Sequence, residues 1–407
     1  MYIPRYLERT ILRLHRSFKI LYLGGPRQVG KTTILKHLAE KLIMNYVTLD
    51  ELGERKLAKH DPELFLQRHP SPLFIDEVQY APELFSALKI RVDQSDRKGR
   101  YWLSGSQHFS MMKNVRESLA GRIGIMNLLG FSEHESLKLP ALRFPFYPKP
   151  QRSKKPFGVR LSVPEVFSKI HRGWFPSLFS RSAPPLEAFY NSYLQTYLDR
   201  DVRDHFQIEK ISEFQDFLRL CAARTGQILN ISDLARDAGV SVHAANTWIR
   251  ILESSLQIYL LRPFSRNVSK RFIKAPKLYF LDTGLAAFLT LWKSPETLAA
   301  GNMAGAFFET FVIAEIVKSY LHRGELPPLY YFRDKEKHEV DLIIERNGMF
   351  SPIEIKMTAN PTMADTRGIQ YFQEKFPSVG KGTLICLRQT PLTLNDRLEA
   401  LPVGNIQ

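Results

Sequence analysis

The sequence predicts an α/β protein in which a parallel-sheet domain, a winged-helix domain and a second α/β unit follow one another along the chain. Three observations lead there. Over residues 1–135, short apolar runs alternate with helical patterns, the rhythm of a parallel sheet covered by helices. Within residues 229–253, two amphipathic helices flank a short Gly-containing turn. Further on, Asn347-Gly348 separates two strand-like runs, the strongest two-residue hairpin signal. A chain of 407 residues has room for two to four domains at ~100–200 residues each. With 44% hydrophobic and 24% charged residues, the composition excludes wholesale disorder. Cys221 and Cys386 are the only cysteines, which excludes a disulfide framework and a cysteine zinc site. The first 20 residues carry Arg5, Glu8, Arg9, Arg13, Arg16 and Lys19, so no secretory signal is visible. No stretch reaches the ~18–20 apolar residues of a membrane span. The expectation is a cytoplasmic protein with no membrane partner.

In the first domain, residues 1–135, the strands are expected at Ile20–Leu23, Tyr46–Leu49, Leu73–Ile75, Tyr101–Leu103 and Gly124–Leu129. Directly after the first comes Gly25-Pro26-Arg27-Gln28-Val29-Gly30-Lys31-Thr32, then Thr33 and a helical run. This fits G-x-x-x-x-G-K-[ST] between a strand and a helix. Glycines let the backbone fold around phosphates at the positive end of the helix. Lys31 is expected to reach the β- and γ-phosphates, and Thr32 to ligate Mg²⁺. The third strand ends in Asp76-Glu77, at the sheet edge where such folds bind ligands. Asp76 is expected to hold Mg²⁺ through its waters, and Glu77 to polarise the attacking water. Adjacent acids placed this way favour hydrolysis of ATP over GTP. Ser104 and Ser106 follow the fourth strand, where a hydroxyl can sense the γ-phosphate, although turn chemistry alone also explains Ser-Gly-Ser. Arg122 is either an arginine finger offered to a neighbouring copy, which implies a homo-oligomer, or a surface ion-pair residue.

These motifs resemble one prokaryotic group of the AAA+ superfamily. The resemblance rests on residues 25–33, Phe-Ile-Asp-Glu-Val-Gln (74–79), Leu-Ser-Gly-Ser (103–106) and Ser-Leu-Ala-Gly-Arg (118–122). Arg-Gly-Trp-Phe-Pro (172–176) and Tyr-Leu-Asp-Arg-Asp-Val (197–202) fit the same group and extend the resemblance over nearly the whole chain. It implies an AAA+-type P-loop ATPase fused to a C-terminal region of unknown function, with a winged helix and a restriction-endonuclease-like domain.

Residues 136–225 read as a basic, Pro-rich connector followed by amphipathic helices. In them Phe189, Tyr193, Tyr197 and Asp201 share one side. The net charge of +16 is concentrated. Residues 138–182 hold ten basic side chains against Glu165 alone, and residues 262–277 hold six with no acid. Such concentration favours polyanions through counterion release, while a solvated linker and a basic loop are the plain alternative. In the winged-helix domain, 226–295, the first helix is expected to be capped by Ser232 and ended by Gly239. A second then starts near Ser241 and carries His243, Asn246, Thr247, Trp248 and Arg250. Strands at Leu256–Pro263 and Lys277–Phe280 suit a wing whose Arg266, Lys270, Arg271 and Lys274 grip DNA phosphates while the second helix enters the major groove. Use as a protein-packing module is the alternative.

In the last unit, 300–407, a turn at Asn347-Gly348 pairs Arg346 with Met349 and sets Asp341 opposite Glu354. Alternation then collects Glu339, Asp341, Glu345, Glu354 and Lys356 on one face. Like charges directly opposite destabilise a sheet, and a divalent cation bridging them reverses that sign. The spacing resembles the Asp…Glu-x-Lys core of restriction-endonuclease-like nucleases. There Asp341 and Glu354 would hold the metal, and Lys356 would orient or deprotonate a water. The same family often adds an acid from an upstream helix, and Glu309 is the candidate; Gln370 is a further one. Two main readings remain open beside a third, a partner-binding regulator without DNA contact. One is an ATP-controlled, DNA-bound, Mg²⁺-dependent nuclease. The other is an ATP-dependent DNA-binding or assembly switch with an inert nuclease-like domain.

Overall fold

The computed structural model describes residues 2–105, 118–141, 144–148, 159–205, 208–265, 267, 271 and 274–406. The N-terminal sheet is parallel, in the order β2-β3-β4-β1-β5. Its strands are β1 (Ile20–Gly24), β2 (Asn45–Thr48), β3 (Leu73–Asp76), β4 (Tyr101–Ser104) and β5 (Ile123–Asn127). β2 and β5 each begin one residue earlier than expected. β1, β3 and β4 are buried throughout, as strands covered on both faces must be. Their side chains alternate between two cores, Ile20, Tyr22, Ile75 and Leu103 on one face and Leu21, Leu23, Phe74 and Trp102 on the other. Because β4 lies between β1 and β3, the loop after β1 and the acids after β3 emerge along one edge.

The described part of the expected connector from Val163 onward is packed structure. The helix Val163–Arg172 is capped by Ser162 and Glu165 and buries Val166, Phe167 and Ile170. Its Lys169 pairs with Glu133 at 2.8 Å. The most basic stretch, 149–158, lies outside the described residues. The helix Leu186–Thr196 runs on into a π-helical turn, Tyr197–His205, and buries Phe189, Tyr193, Tyr197 and Asp201 along the expected side.

Two helices, Ile231–Asp237 and Val242–Ser254, stand where the sequence suggested a helix-turn-helix. Asn230, not Ser232, caps the first helix, its side chain accepting from the N–H groups of Ser232 and Asp233. The N–H of Leu229 bonds Pro276 O at 2.8 Å, which keeps the chain extended up to Asn230. Gly239 ends the unit at φ 66°, and Ser241 caps the second helix as expected.

β6 (Gln227–Ile228), β7 (Ile258–Pro263) and β8 (Lys277–Phe280) then pair antiparallel, where the sequence suggested a wing. Strand pairing continues across the boundary expected between the middle and C-terminal domains. β7 also pairs in parallel with β9 (Leu329–Arg333), through Arg262↔Tyr330 and Pro263↔Tyr331. One nine-stranded sheet results, in the order β13-β14-β12-β11-β10-β9-β7-β8-β6. Phe264 secures the junction, its ring 4.8 Å from Phe350 and 5.4 Å from Phe372. β10 (Glu339–Arg346) and β11 (Met349–Ile355) form the expected hairpin, with Asn347 and Gly348 at φ 51° and 74°. Its register runs from Arg346↔Met349 to Leu342↔Ile353. β12 (Gly382–Cys386), β13 (Leu392–Asn395) and β14 (Leu398–Pro402) complete the sheet. The helix Ala304–Leu321 is buried along most of its length. No helix among the described residues is long and apolar enough to cross a membrane.

Candidate nucleotide site and carboxylate cluster

The loop after β1 has no tolerance for side chains at its start. Gly25 has φ 149°, and a Cβ there would lie 2.1 Å from Leu128 O. Gly30, at φ 93°, opens the helix Lys31–Lys41, and no side chain caps that helix. Its first N–H groups are therefore available to an anion. Lys31 curls back so that Nζ donates to Gly25 O at 2.9 Å and Pro26 O at 2.7 Å. Burial lowers its pKa, against the opposing pull of Glu77. Gln28 adopts φ 60°, and Val29 O accepts from Arg5 at 3.0 Å. Arg27 turns away to Asp201, in the π-helical turn. Beside the loop, Ile3, Val29, Ile34, Phe131, Pro176 and Phe179 line a cavity of about 130 Å³, with Thr33 at its wall.

Asp76 and Glu77 arrive on the same edge. Asp76 is buried, and its Oδ1 accepts the Ser104 hydroxyl. Ser104 is thus a support of Asp76, where the sequence suggested a γ-phosphate sensor; Ser106 lies outside the described residues. Glu77 adopts φ 57°, and the Gln79 amide donates to its Oε2. Burial raises the Glu77 pKa and Lys31 opposes the shift. Gln79 was a motif letter in the sequence and gains a role only from this contact. Arg122 stands at the start of β5, beside Ile20 at the amino end of β1. It pairs with Asp93 at 2.5 Å and does not join this chain's own loop.

The second constellation is centred on the β10–β11 hairpin. Asp341 and Glu354 follow the last paired positions, and Asp341 Oδ2 accepts the Ile355 N–H at 2.9 Å. Lys356 Nζ lies 2.7 Å from Glu354 Oε1 and 3.8 Å from Asp341 Oδ2. Glu309 faces the cluster from the helix Ala304–Leu321, as expected. The residue the sequence missed is Lys277, first in β8. Its ammonium lies 2.6 Å from Glu339, 3.2 Å from Glu309 and 3.6 Å from Asp341. Tyr279, two residues on, donates to Glu309 at 2.5 Å. In the sequence Lys277 closes a basic run, and only its two-residue spacing from Tyr279 on a strand points to the cluster. Glu345 leaves the cluster and pairs with Arg271. Gln370 also stands apart, its amide nitrogen bonding Thr366 Oγ1 at 2.8 Å. Gly368 fills the place nearby instead, since a Cβ there would lie 1.9 Å from Glu339 O.

Burial sets the electrostatics of this cluster. Glu354 is pushed up to about 8 by burial and then by Asp341, with Lys356 opposing. Glu309 is pushed up to about 7 by burial and then by Asp341, with Lys277 opposing. Glu354 Oε2 is buried and has no hydrogen-bond partner among the described residues. Acids of high proton affinity with an orphaned oxygen suit a cation, and their all-oxygen donor set suits a hard divalent ion.

Of the DNA-contact candidates, His243, Asn246 and Arg250 are exposed on the second helix of the helix-turn-helix, along with Thr247, while Trp248 is buried. Lys274 is exposed as well. Arg271 is not free for a phosphate. It pairs with Glu345 at 3.1 Å, bonds Ser265 O and lies 4.4 Å over the Tyr330 ring. Its neighbours on the joined sheet, absent from a free wing, capture it. Arg266 and Lys270 lie outside the described residues.

Residues 17–137 match a family model described as an AAA domain. Residues 165–296 and 304–406 match two domains of unknown function, DUF8612 and DUF4143. Uncharacterized proteins of Mycobacterium tuberculosis and Mycobacterium bovis are 28% identical over 352 residues, spanning 86% of this chain and 73% of each relative. A Walker-type ATPase of Pyrococcus abyssi overlays 70% of this chain and 94% of its own at 15% identity, with a TM-score of 0.43. With its parallel sheet and glycine loop, the N-terminal unit has the fold of an AAA-type P-loop ATPase domain. The C-terminal unit is a DUF4143 domain.

Proposed function

We propose that the chain is an ATP hydrolase that binds DNA and whose C-terminal carboxylate cluster holds a divalent cation for phosphodiester cleavage. The observation that carries the nuclease part is the convergence of Asp341, Glu354, Lys356 and Glu309 from three elements, with Glu354 Oε2 buried and unpartnered.

At the first site, ATP phosphates lie in the loop and draw Lys31 from the carbonyls of Gly25 and Pro26. The apolar cavity beside Val29 and Ile34 takes the base. Thr32 and Asp76 are the residues that would hold Mg²⁺, which shields phosphate charge when bound. Ser104 fixes Asp76 for that task. Glu77 orients the attacking water and accepts its proton, held in place by Gln79. At the second site, Asp341 and Glu354 would hold a divalent ion, whose charge supports attack on a phosphodiester. Lys356 then orients or deprotonates the water. The exposed His243, Asn246 and Arg250 face reads the DNA, as one expects of a second helix in this motif.

One observation favours the inert-scaffold reading. Lys277 already places a cation among Glu309, Glu339 and Asp341, which neutralises part of the cluster without metal. Incubation with plasmid and linear DNA, with Mg²⁺ or Mn²⁺ and with or without ATP, separates the two. Cutting that disappears in Asp341→Ala establishes the nuclease, and its loss in Lys31→Ala establishes ATP control. No cutting with ATP hydrolysis intact selects the scaffold.

A further inference from the structure

Arg27 and Asp201 are 174 positions apart in the chain and form a forked ion pair at the nucleotide loop. Arg27 Nε lies 2.9 Å from both Asp201 oxygens, and Nη2 lies 2.9 Å from Oδ1. Solvent reaches little of either side chain, 11% of Arg27 and 5% of Asp201. Arg27 is the third residue of a loop built to wrap phosphates. Asp201 belongs to the π-helical turn Tyr197–His205, and such turns recur at functional sites. The hydrolytic roles assigned to Lys31, Thr32, Asp76 and Glu77 leave this pair unused.

A guanidinium presents one rigid fork, and that fork fits a carboxylate or a phosphate equally well. Lys31, which would reach the terminal phosphates, donates to the carbonyl of Pro26, the residue next to Arg27 in the loop. Asp201 therefore stands as a rival acceptor for Arg27 beside the place where a γ-phosphate would arrive. The middle region also closes on the loop from a second side, since Pro176 lies 4.0 Å from where a Cβ on Gly30 would sit.

The turn that carries Asp201 is packed against the candidate DNA-reading helix. Tyr197 OH lies 3.2 Å from Ser255 Oγ, just past the end of Val242–Ser254. The Tyr197 ring also packs on Phe214 at 6.5 Å, and Phe214 meets Trp248, inside that helix, edge-on at 5.2 Å. Movement of the turn would thus be felt at residues that position the helix.

We propose that Arg27 is a γ-phosphate switch: Asp201 holds it when the loop lacks a triphosphate, and ATP transfers the fork to its γ-phosphate and releases the 197–205 turn. ADP, lacking that group, leaves the pair closed. The proposal rests on the reading of the loop as an ATP site.

The test uses the full chain with Mg²⁺, a non-hydrolysable ATP analogue and ADP, in the wild type, Arg27→Ala, Arg27→Lys and Asp201→Asn. A hydrogen bond to a charged group contributes about 1.5–3 kcal/mol, so Arg27→Ala should cut analogue affinity about tenfold or more while ADP affinity holds. Retained ADP binding also reports an intact loop. Arg27→Lys, with charge but no fork, should fall between Arg27→Ala and the wild type. Asp201→Asn should strengthen the analogue about tenfold relative to ADP, because the rival carboxylate is gone. In wild type the analogue, and not ADP, should speed amide exchange over residues 197–205, and Arg27→Ala should abolish that difference. An unchanged analogue-to-ADP ratio in both Arg27→Ala and Asp201→Asn overturns the switch, as does parallel weakening of both nucleotides in Asp201→Asn. Failure of the wild type to bind either nucleotide overturns the ATP reading itself.

Discussion

Lys277 Nζ lies 3.2 Å from Glu309 Oε1, so β8 and the long helix Ala304–Leu321 meet inside one carboxylate cluster. The Lys277 side chain is 5% exposed, and Glu339 and Asp341 complete its surroundings. Burial alone would depress its pKa, yet the three carboxylates raise it. The ammonium is therefore a structural charge as well as a neighbour of the candidate metal ligands.

Removing that charge strands several buried acids. Breaking a buried ion pair from one side costs about 3–5 kcal/mol, so Lys277→Met should lower the denaturant midpoint strongly in metal-free buffer. Lys277→Met with Glu309→Gln should recover much of the loss, since the pair is then removed together. A double-mutant cycle by urea unfolding reads the coupling. Additive losses would show that Lys277 and Glu309 do not interact.

Protonation of the cluster carries a definite sign. Glu354 and Glu309, raised to about 8 and about 7 from an ordinary 4.5, hold protons in the folded chain that the unfolded chain has already released. Their contribution to stability is full below the unfolded value and is lost as pH rises through the folded one. Thermal unfolding without metal should shift downward between about pH 5 and 8, and Glu354→Gln should flatten the fall. Mn²⁺ should bind more tightly as pH rises and should offset the loss, because binding displaces protons from its ligands. Metal affinity independent of pH over that range would argue against Glu354 as a ligand.

Glu77 and Gln79 allow a separation of binding from chemistry. Glu77→Gln should retain ATP affinity while kcat falls about 10²–10⁴-fold, the usual contribution of a positioned base. Gln79→Ala should lower kcat less, since it frees the Glu77 carboxylate without removing it. Phosphate release at saturating ATP, beside equilibrium nucleotide binding, distinguishes these outcomes from a collapsed site.

The parts of this arrangement legible in the sequence are those with local rules. Asn347-Gly348 demands positive φ at both positions, so the turn sets the register and the register places Asp341 beside Glu354. The glycine loop and Asp76-Glu77 were legible for a similar reason, each sitting at the end of a short buried strand. Long-range choices left no such mark. Lys277 reads as one more charge in a basic run until Glu309, 32 residues on, is seen beside it. Arg27 and Asp201 likewise carry no periodic signal linking them. The fusion of β7 to β9 rests on two paired positions and the Phe264 cluster, which no pattern of alternation announces.

The same fusion bears on the proposed DNA-binding face. Arg271 is held by Glu345 and the Tyr330 ring, whereas Arg250 and Lys274 remain exposed. Each phosphate contact removed should lower the slope of log affinity against log salt by about one. Arg250→Ala and Lys274→Ala should therefore weaken binding to duplex DNA and each reduce that slope. Arg271→Ala should leave the slope unchanged and instead lower stability, because it leaves Glu345 without its partner at the junction. Fluorescence anisotropy across a salt series, paired with thermal melts, reads both quantities. A reduced slope in Arg271→Ala with an unchanged melt would return that residue to the phosphate-binding set.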